Sequence, residues 1–368
     1  MELTNKNILL VSPEPWTHLH VSKHHYARYL AQRGNNVWFL NPPSKKVEQA
    51  PTENASLNIL NYTGFPRGIR FYPAFIRRLF TRRVFWQLES LVYTSFDVIW
   101  SFDNSVFFQM DALPSNVLKI SHIVDLNQDF EMELAAQTAD FAFCTSQAIK
   151  ARLERYAPNK TYWINHGLSV NETNWNGSLG ELPGKNEIKA VYAGNLSMMY
   201  LDWYILFETA RINHHVDFIF FGSNWENYDL SVNAMHSWKK QMFELDNVHS
   251  PGKVRTEDLQ CIFESADVLL IAYQQAYHVD QSNPHKTLEY LYSGKPIVAT
   301  NTAEYAEKKL LNMCENNAEW PKLFSNVTKN IELYSTPELA TERRSFALEN
   351  TYEKQIERIE KVLSDNGY

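Results

Sequence analysis

The chain has 368 residues, 44 % of them hydrophobic, and its 35 Lys and Arg against 42 Asp and Glu give a formal net charge of −7. That length exceeds what one core usually organises, since chains beyond about 250–300 residues tend to divide, and the apolar share excludes intrinsic disorder. The negative balance argues against nucleic acid as a partner, because a protein that tracks phosphate backbones normally carries a basic excess.

Three cysteines, Cys144, Cys261 and Cys314, are too few and too scattered for a disulfide framework or for metal-ligand spacing, which fits a reducing compartment. The amino terminus runs from Met1 to Lys6 straight into a short apolar strand without a signal-peptide core. No run approaches the ~20 apolar residues of a spanning helix. The expectation is a cytoplasmic protein that can still reach the inner face of a membrane.

Along the chain, Asn7 to Ser12 reads as a buried parallel strand, Lys23 to Arg33 as a helix stopped by Gly34, and Asn36 to Leu40 as the next strand, a complete βαβ unit. The plan restarts at Ile188 to Gly194, with a helical stretch to about Ile212 and a strand over Asp217 to Gly222. A second echo links Thr138 to Thr145 with Ser265 to Ala272, each placing an Asp (Asp140, Asp267) just before a buried strand. Asn171 to Asn186 has no apolar period and reads as the linker. Thr351 to Leu363 reads as an amphipathic helix, with Ile356, Ile359 and Leu363 at helical spacing.

Between these elements lies a basic, aromatic stretch. From Phe65 to Trp86, six arginines (Arg67, Arg70, Arg77, Arg78, Arg82, Arg83) alternate with aromatic residues, and no acidic residue occurs before Glu89. A helix from Pro73 would gather Phe75, Ile76, Leu79, Phe80 and Trp86 on one side. Basic amphipathic helices lie on anionic membrane surfaces, so Arg67 to Trp86 is a candidate peripheral membrane contact and a lipid-linked saccharide a candidate acceptor. The alternative is a core helix with a solvated Arg face.

The most informative segment runs from Ser282 to Thr300. Pro284 suits the first turn of a helix capped by Ser282 or Asn283, Gly294 ends it and Pro296 blocks its resumption. Leu288, Leu291 and Tyr292 would pack on a sheet, leaving Lys286 and Glu289 near the exposed amino end. A helix amino terminus with an added ammonium suits a diphosphate, and a carboxylate one turn along can accept hydrogen bonds from both hydroxyls of a ribose.

With Glu289 followed by Gly294-Lys295-Pro296-Ile297-Val298-Ala299, the sequence resembles the retaining GT-B glycosyltransferases, particularly family 4. The resemblance covers essentially the whole chain and implies two Rossmann-like, doubly wound α/β domains facing a central cleft: an acceptor domain over residues 1–172, a nucleotide-sugar donor domain over 186–347, and a final helix at 348–368 returning to the first domain. It implies that Lys286 balances the leaving diphosphate, that Glu289 holds the donor ribose, and that Gln281 stands where many members carry a second Glu. Thr287, Pro284, Gly194, Asn195, Ser223, Lys253, Val254 and Tyr273 complete the expected donor site. The chain departs from the pattern in three places: Gln281 brings no charge, Gly194 to Ser197 and Leu201-Asp202 lack the usual diphosphate-binding cations, leaving Lys253 or Arg255 as substitutes, and Ser12 to Thr17 contains no Gly.

Asp125, His122 and His166-Gly167 follow strands of the first domain. With His18 and His25, His122 is a candidate for the acceptor and Asp125 for the reacting centre, although a lone His or Asp in a loop is often structural. Gly194 and Gly222 are equally readable as plain turn residues. No Asp-x-Asp pair is present, and Asp125 and Asp129 are too far apart to imitate one, so no metal or other cofactor is expected. His18, His20, His24 and His25 lack the further ligands that a zinc site needs.

Together these readings point to transfer of a sugar from a UDP- or GDP-linked donor to a saccharide or glycolipid hydroxyl. A catalytically reduced nucleotide-binding scaffold and a nucleotide-sugar 2-epimerase are the alternatives. A dehydrogenase is disfavoured, because no Gly-x-Gly-x-x-Gly follows either opening strand.

Overall fold

A computed structural model describes residues 1–125, 130–170, 181–223 and 234–368. Its contacts divide the chain into two units, Met1–Gly167 with Thr351–Tyr368, and Leu168–Asn350. Part of the expected linker, residues 171–180, lies outside the described residues, as does Asp129.

The first unit runs β1 (Asn7–Val11), α1 (Ser22–Gln32), β2 (Asn36–Leu40), β3 (Glu48–Pro51), β4 (Leu57–Asn61), α2 (Ala74–Val92), β5 (Val98–Ser101), β6 (Leu118–Ile123), α3 (Met132–Thr138), β7 (Phe141–Cys144), α4 (Gln147–Leu153) and β8 (Thr161–Trp163). These strands form one sheet in the order β3-β4-β2-β1-β5-β6-β7-β8, parallel except where β3 pairs antiparallel with β4. Strands β1, β5 and β6 are buried on both faces, which is why they read as continuous apolar runs rather than as alternation.

The second unit runs β9 (Ile188–Ala193), α5 (Trp203–Ile212), β10 (Val216–Phe221), α6 (Ala234–Met242), β11 (Val248–Gly252), α7 (Thr256–Ser265), β12 (Val268–Ile271), α8 (Lys286–Ser293), β13 (Ile297–Ala299), β14 (Asn312–Met313), α9 (Trp320–Lys329), α10 (Ile331–Tyr334) and α11 (Pro337–Leu348). Its sheet is fully parallel, in the order β11-β10-β9-β12-β13-β14. Both sheets are doubly wound: the strand order reverses beside β1 in the first unit and beside β9 in the second.

The recurring Asp has a physical role. Asp140 accepts the backbone N–H of Lys119 at the start of β6 at 2.9 Å, and Asp267 accepts that of Lys189 at the start of β9 at 2.8 Å. Asp97, just before β5, does the same for Asn7 at the start of β1. Each carboxylate satisfies a donor at the amino edge of a neighbouring parallel strand, where the ladder has not yet begun.

The last helix, α12 (Tyr352–Asp365), belongs to the first unit and packs against α1. Thr351 caps it by accepting the N–H of Lys354 at 3.2 Å, and Tyr352, Ile356, Ile359 and Leu363 are fully buried along one face. Gln355, also enclosed, donates to the carbonyl of His166 at 3.0 Å. Gly167 lies so close to Tyr352 that an added Cβ would sit 2.4 Å from its ring.

Helix α2 divides the expected stripe, with Ile76 and Phe80 half-buried. Thr81, Val84, Phe85 and Leu88 turn inward, while Phe75, Leu79 and Trp86, expected to share the apolar side with Ile76 and Phe80, are exposed. Val84, Phe85 and Leu88 are the side that turns inward because they complete the cluster with Phe96, Ile99 and Phe107.

Since α12 is held by buried aliphatic side chains, Ile359→Ala should lower the stability of the first unit by about 2–5 kcal/mol. The exposed Lys361→Ala on the same helix should change it by less than ~0.5 kcal/mol in parallel urea titrations.

Candidate functional site

In open α/β sheets ligands bind outside the carboxyl ends of the strands, where the strand order reverses. In the second unit that point lies between β9 and β12. Two glycines shape it. Gly194 follows β9 with φ +154° and Gly222 follows β10 with φ +146°; a Cβ on Gly222 would fall 1.7 Å from the Gly194 carbonyl oxygen. Glycine is therefore required at Gly222 by close backbone approach as well as by conformation. A Cβ on Gly194 would meet the Lys286 ammonium at 2.6 Å and the Tyr192 hydroxyl at 2.9 Å. Glycine at Gly194 thus has a steric reason beside its backbone conformation: it makes room for Lys286.

Helix α8 brings Lys286 to this point. No side chain caps its amino end, and the expected cap by Ser282 or Asn283 does not form, because His285 already has helical angles and the N–H of Thr287 bonds to Pro284. Leu288, Tyr290 and Leu291 are the buried residues that seat it, with Tyr290 in the place expected of Tyr292; the Tyr290 hydroxyl accepts the N–H of Ala193 at 3.0 Å. At the other end Gly294 adopts the left-handed conformation. There Arg344 donates to the Ser293 carbonyl and the buried Arg343 to that of Gly294, two cations from α11 at the negative end of the helix dipole.

Lys286 does not stand out at the exposed helix end as expected. Its Nζ folds back to donate to the Ala193 carbonyl at 2.8 Å and lies 3.8 Å from the centre of the Tyr192 ring. Burial lowers the Lys286 ammonium, with Glu289 pulling it back up. Burial likewise raises the Glu289 carboxyl, with Lys286 lowering it. Glu289 keeps 35 % of its side-chain surface accessible, and His285 Nδ1 approaches it at 3.7 Å. Its open edge tempers the rise, since solvent still reaches the charged form.

The other expected donor residues divide. Asn195 is exposed, with its side chain accepting the N–H of Ser197, and the carbonyl of Ser223 accepts the N–H of Leu196, so both border the loop after β9. Tyr273 follows β12 but is buried and held by Thr300 and Asn317. Thr287 is fully buried and Pro284 is enclosed, which removes their side chains from a ligand-facing position; both instead seat the first turn of α8. Gln281 is partly exposed on the approach to α8, and its N–H bonds to Tyr277. Lys253 is exposed beyond β11 with Val254 packed on the core, whereas Arg255 is engaged by both oxygens of Asp258. The sequence reading missed Tyr192, His285 and Lys239, whose ammonium donates to the Leu196 carbonyl at 2.9 Å from α6.

The first unit has its own reversal point, between β1 and β5. Ser12 and Ser101 fold the chain over these strand ends by the same device: Ser12 Oγ bonds both the carbonyl and the N–H of Glu14, and Ser101 Oγ those of Asp103. Glu14 forms an ion pair with Lys23, which is buried in the first turn of α1. Asp103 is buried too, and burial raises its carboxyl despite two hydrogen bonds from Ser105. No sequence motif singled out Glu14, Lys23 or Asp103; the topology unites them.

The expected acceptor residues of this unit fare unevenly. His122 is fully enclosed in the core, where it accepts from Trp100 Nε1 at 3.3 Å and stacks on Phe102; burial lowers it to about 3. As a neutral core histidine it presents nothing to an acceptor, which corrects the expectation. His25 is buried and stacks on Tyr352, His18 is exposed, and Asp125 is exposed after β6. His24, lowered to about 4 by burial, has its two ring nitrogens against Val21 N and Pro15 O, a backbone role and not a metal-binding one. Among the described residues no group of three or more His, Cys, Asp or Glu could hold a metal ion.

No protein-family model and no curated protein sequence matches this chain. Solved structures do. Sucrose-phosphate synthase from Thermosynechococcus elongatus is 12 % identical and superimposes with a TM-score of 0.72 over 98 % of both chains. Anabaena Alr3699/HepE in complex with UDP-glucose is 14 % identical, with a TM-score of 0.66 over 98 % of this chain and 100 % of that one. A glycosyltransferase from Rickettsia africae is 10 % identical, with a TM-score of 0.67 over 98 % of both chains. At such identities the likeness speaks for architecture: the two doubly wound units of this chain have the GT-B fold.

Proposed function

We propose that this protein transfers a sugar from a nucleoside diphosphate sugar to a saccharide or lipid-linked hydroxyl, with retention and without a metal ion. The observation that carries the reading is the Lys286 ammonium set on the Ala193 carbonyl at the β9/β12 reversal point, in the first turn of a helix whose amino end no side chain caps and one turn from the partly open Glu289. Uncapped N–H groups and an ammonium form an anion site, and a carboxylate at that distance suits a ribose. Structural neighbours solved with UDP and UDP-glucose favour a uridine donor over a guanosine one.

In this reading the bond between the anomeric carbon and the diphosphate oxygen breaks, the electron pair leaves with the diphosphate, and Lys286 and the α8 N–H groups stabilise the charge that develops. The acceptor oxygen forms the new bond to the anomeric carbon, and its proton passes to the departing diphosphate, which has gained the pair. Gln281 contacts the donor sugar, Lys253 and Val254 border the base, and in the first unit the exposed His18 and the partly exposed Glu14, held by the buried Lys23, are offered to the acceptor. Asp125 is the exposed carboxylate assigned to the reacting centre. A lipid-linked acceptor would bring the enzyme to a membrane surface. The second reading, a nucleotide-binding scaffold, draws on the uncharged Gln281; binding of the donor with neither hydrolysis nor transfer would favour it, and conversion to an isomeric sugar nucleotide would favour an epimerase.

Lys286→Ala and Glu289→Ala should each weaken UDP or UDP-sugar binding about tenfold or more by calorimetry, since hydrogen bonds to charged groups contribute roughly 1.5–3 kcal/mol. Unchanged affinity with an intact fold would put the site elsewhere.

Affinity should follow a bell against pH. Binding needs Glu289 ionised, so it falls as pH drops through its raised carboxyl value, and it needs Lys286 protonated, so it falls as pH rises through its lowered ammonium value. Lys286→Arg should keep the acid limb and abolish the alkaline one, because a guanidinium stays charged. Excess EDTA should leave donor binding and turnover unchanged; a loss restored by Mg²⁺ or Mn²⁺ would overturn the metal-free reading.

A further inference from the structure

We propose that the outward stripe of α2 is a docking surface for an anionic lipid bilayer. Inside the first unit, Thr81, Val84, Phe85 and Leu88 hold the helix to the core, and on the opposite side Phe75, Leu79 and Trp86 stand 65 %, 61 % and 55 % exposed. Their spacing of four and seven residues puts them on one line along the helix, with Arg82 between Leu79 and Trp86. Phe71 at 77 % precedes the stripe, and Tyr93 at 95 % follows it, sharing a depression with Trp86, Glu89 and Ser90. Scattered apolar residues on a surface need no explanation, but three large ones on one line of a helix with another at either end do.

Charge decides which partner fits. Residues 65–88 contain six arginines and no acidic residue, in a chain of net charge −7. Arg78 pairs with Asp111 and Arg82 Nε donates to the Ala112 carbonyl, which fixes the helix against the body of the unit. Glu89, the first acid, turns back to accept the N–H of Phe96. Arg70 lies over the faces of Phe71 and Phe130, 4.8 and 5.1 Å from the ring centres. Beside it opens a pocket of about 420 Å³ lined by Ile69, Arg70, Phe71, Ser105, Phe130 and Glu131; Ser105 is two residues along the chain from Asp103. Aromatic rings at the depth of the headgroups with arginines against lipid phosphates are the arrangement of a helix lying in a bilayer interface. An acidic protein partner would match the arginines but not the apolar line. A second copy of this chain would set arginine against arginine.

The test floats the full chain with vesicles of phosphatidylglycerol and phosphatidylcholine and with vesicles of phosphatidylcholine alone. The wild type should bind the anionic vesicles and not the neutral ones, with affinity falling as salt rises. The triple substitution Phe75→Ser, Leu79→Ser, Trp86→Ser should cut binding at least tenfold. Arg67→Gln with Arg83→Gln, which leaves the ties of Arg78 and Arg82 in place, should weaken binding and flatten its salt dependence. Both variants should keep the circular dichroism and UDP affinity of the wild type, and Lys286→Ala should leave vesicle binding untouched, so that failure of the membrane proposal and failure of the donor-site reading are separable. Equal binding to neutral vesicles, no binding, or indifference to both sets of substitutions would overturn the proposal. So would a wild-type dimer in sedimentation velocity that the triple substitution converts to monomer.

Discussion

The candidate site of the second unit depends on the close approach of two strand ends. Gly194 and Gly222 bring the backbone after β10 against the carbonyl after β9, leaving space that any side chain would fill. Into that space comes Lys286, whose ammonium meets the Ala193 carbonyl over the Tyr192 ring. The geometry is supported from behind by Tyr290, which takes the Ala193 N–H, and from the far end of α8 by Arg343 and Arg344 on its last carbonyls. A short helix of eight residues is weak by itself. Here its two ends and its buried face are all fixed by other elements, so the cation at its first turn is held in place rather than left mobile.

The two units solve the same problem with different chemistry. Each reverses its strand order beside its first strand, and each satisfies the amino edge of that strand with an Asp from the neighbouring strand, Asp97 for β1 and Asp267 for β9. At the carboxyl ends they diverge. The second unit uses glycines and a lysine, which suit an anion approaching backbone closely. The first uses serine turns that set Glu14 and Asp103 around the buried Lys23, a largely enclosed cluster of mixed charge. Burying Lys23 against Glu14 is tolerable only because the ion pair offsets part of the desolvation of both groups.

Helix α2 illustrates how packing overrides a sequence stripe. Its apolar residues are too numerous for one face, and periodicity alone groups Phe75, Ile76, Leu79, Phe80 and Trp86 without deciding whether that side meets the core or a membrane. The sheet selects instead the side bearing Val84, Phe85 and Leu88, because that side meets Phe96 and Phe107. The larger aromatics are left outside with the arginines. A similar lesson attaches to His122, legible as a polar residue near a strand end but enclosed by Trp100, Phe102 and Phe143.

The sequence by itself determined the βαβ periodicity, the restart at Ile188, the end of α8 at Gly294 and the apolar face of α12, because each of these is encoded within a few turns or one strand. It also located the segment carrying Lys286 and Glu289. Tertiary structure alone decided that Lys286 folds back to Ala193, that Thr287 and His122 are enclosed, and that Glu14, Lys23 and Asp103 share one reversal point. Those outcomes depend on partners from other elements, 22 residues apart for His122 and Trp100 and 93 for Lys286 and Ala193, and local periodicity carries no information about which side chain a distant strand end will meet.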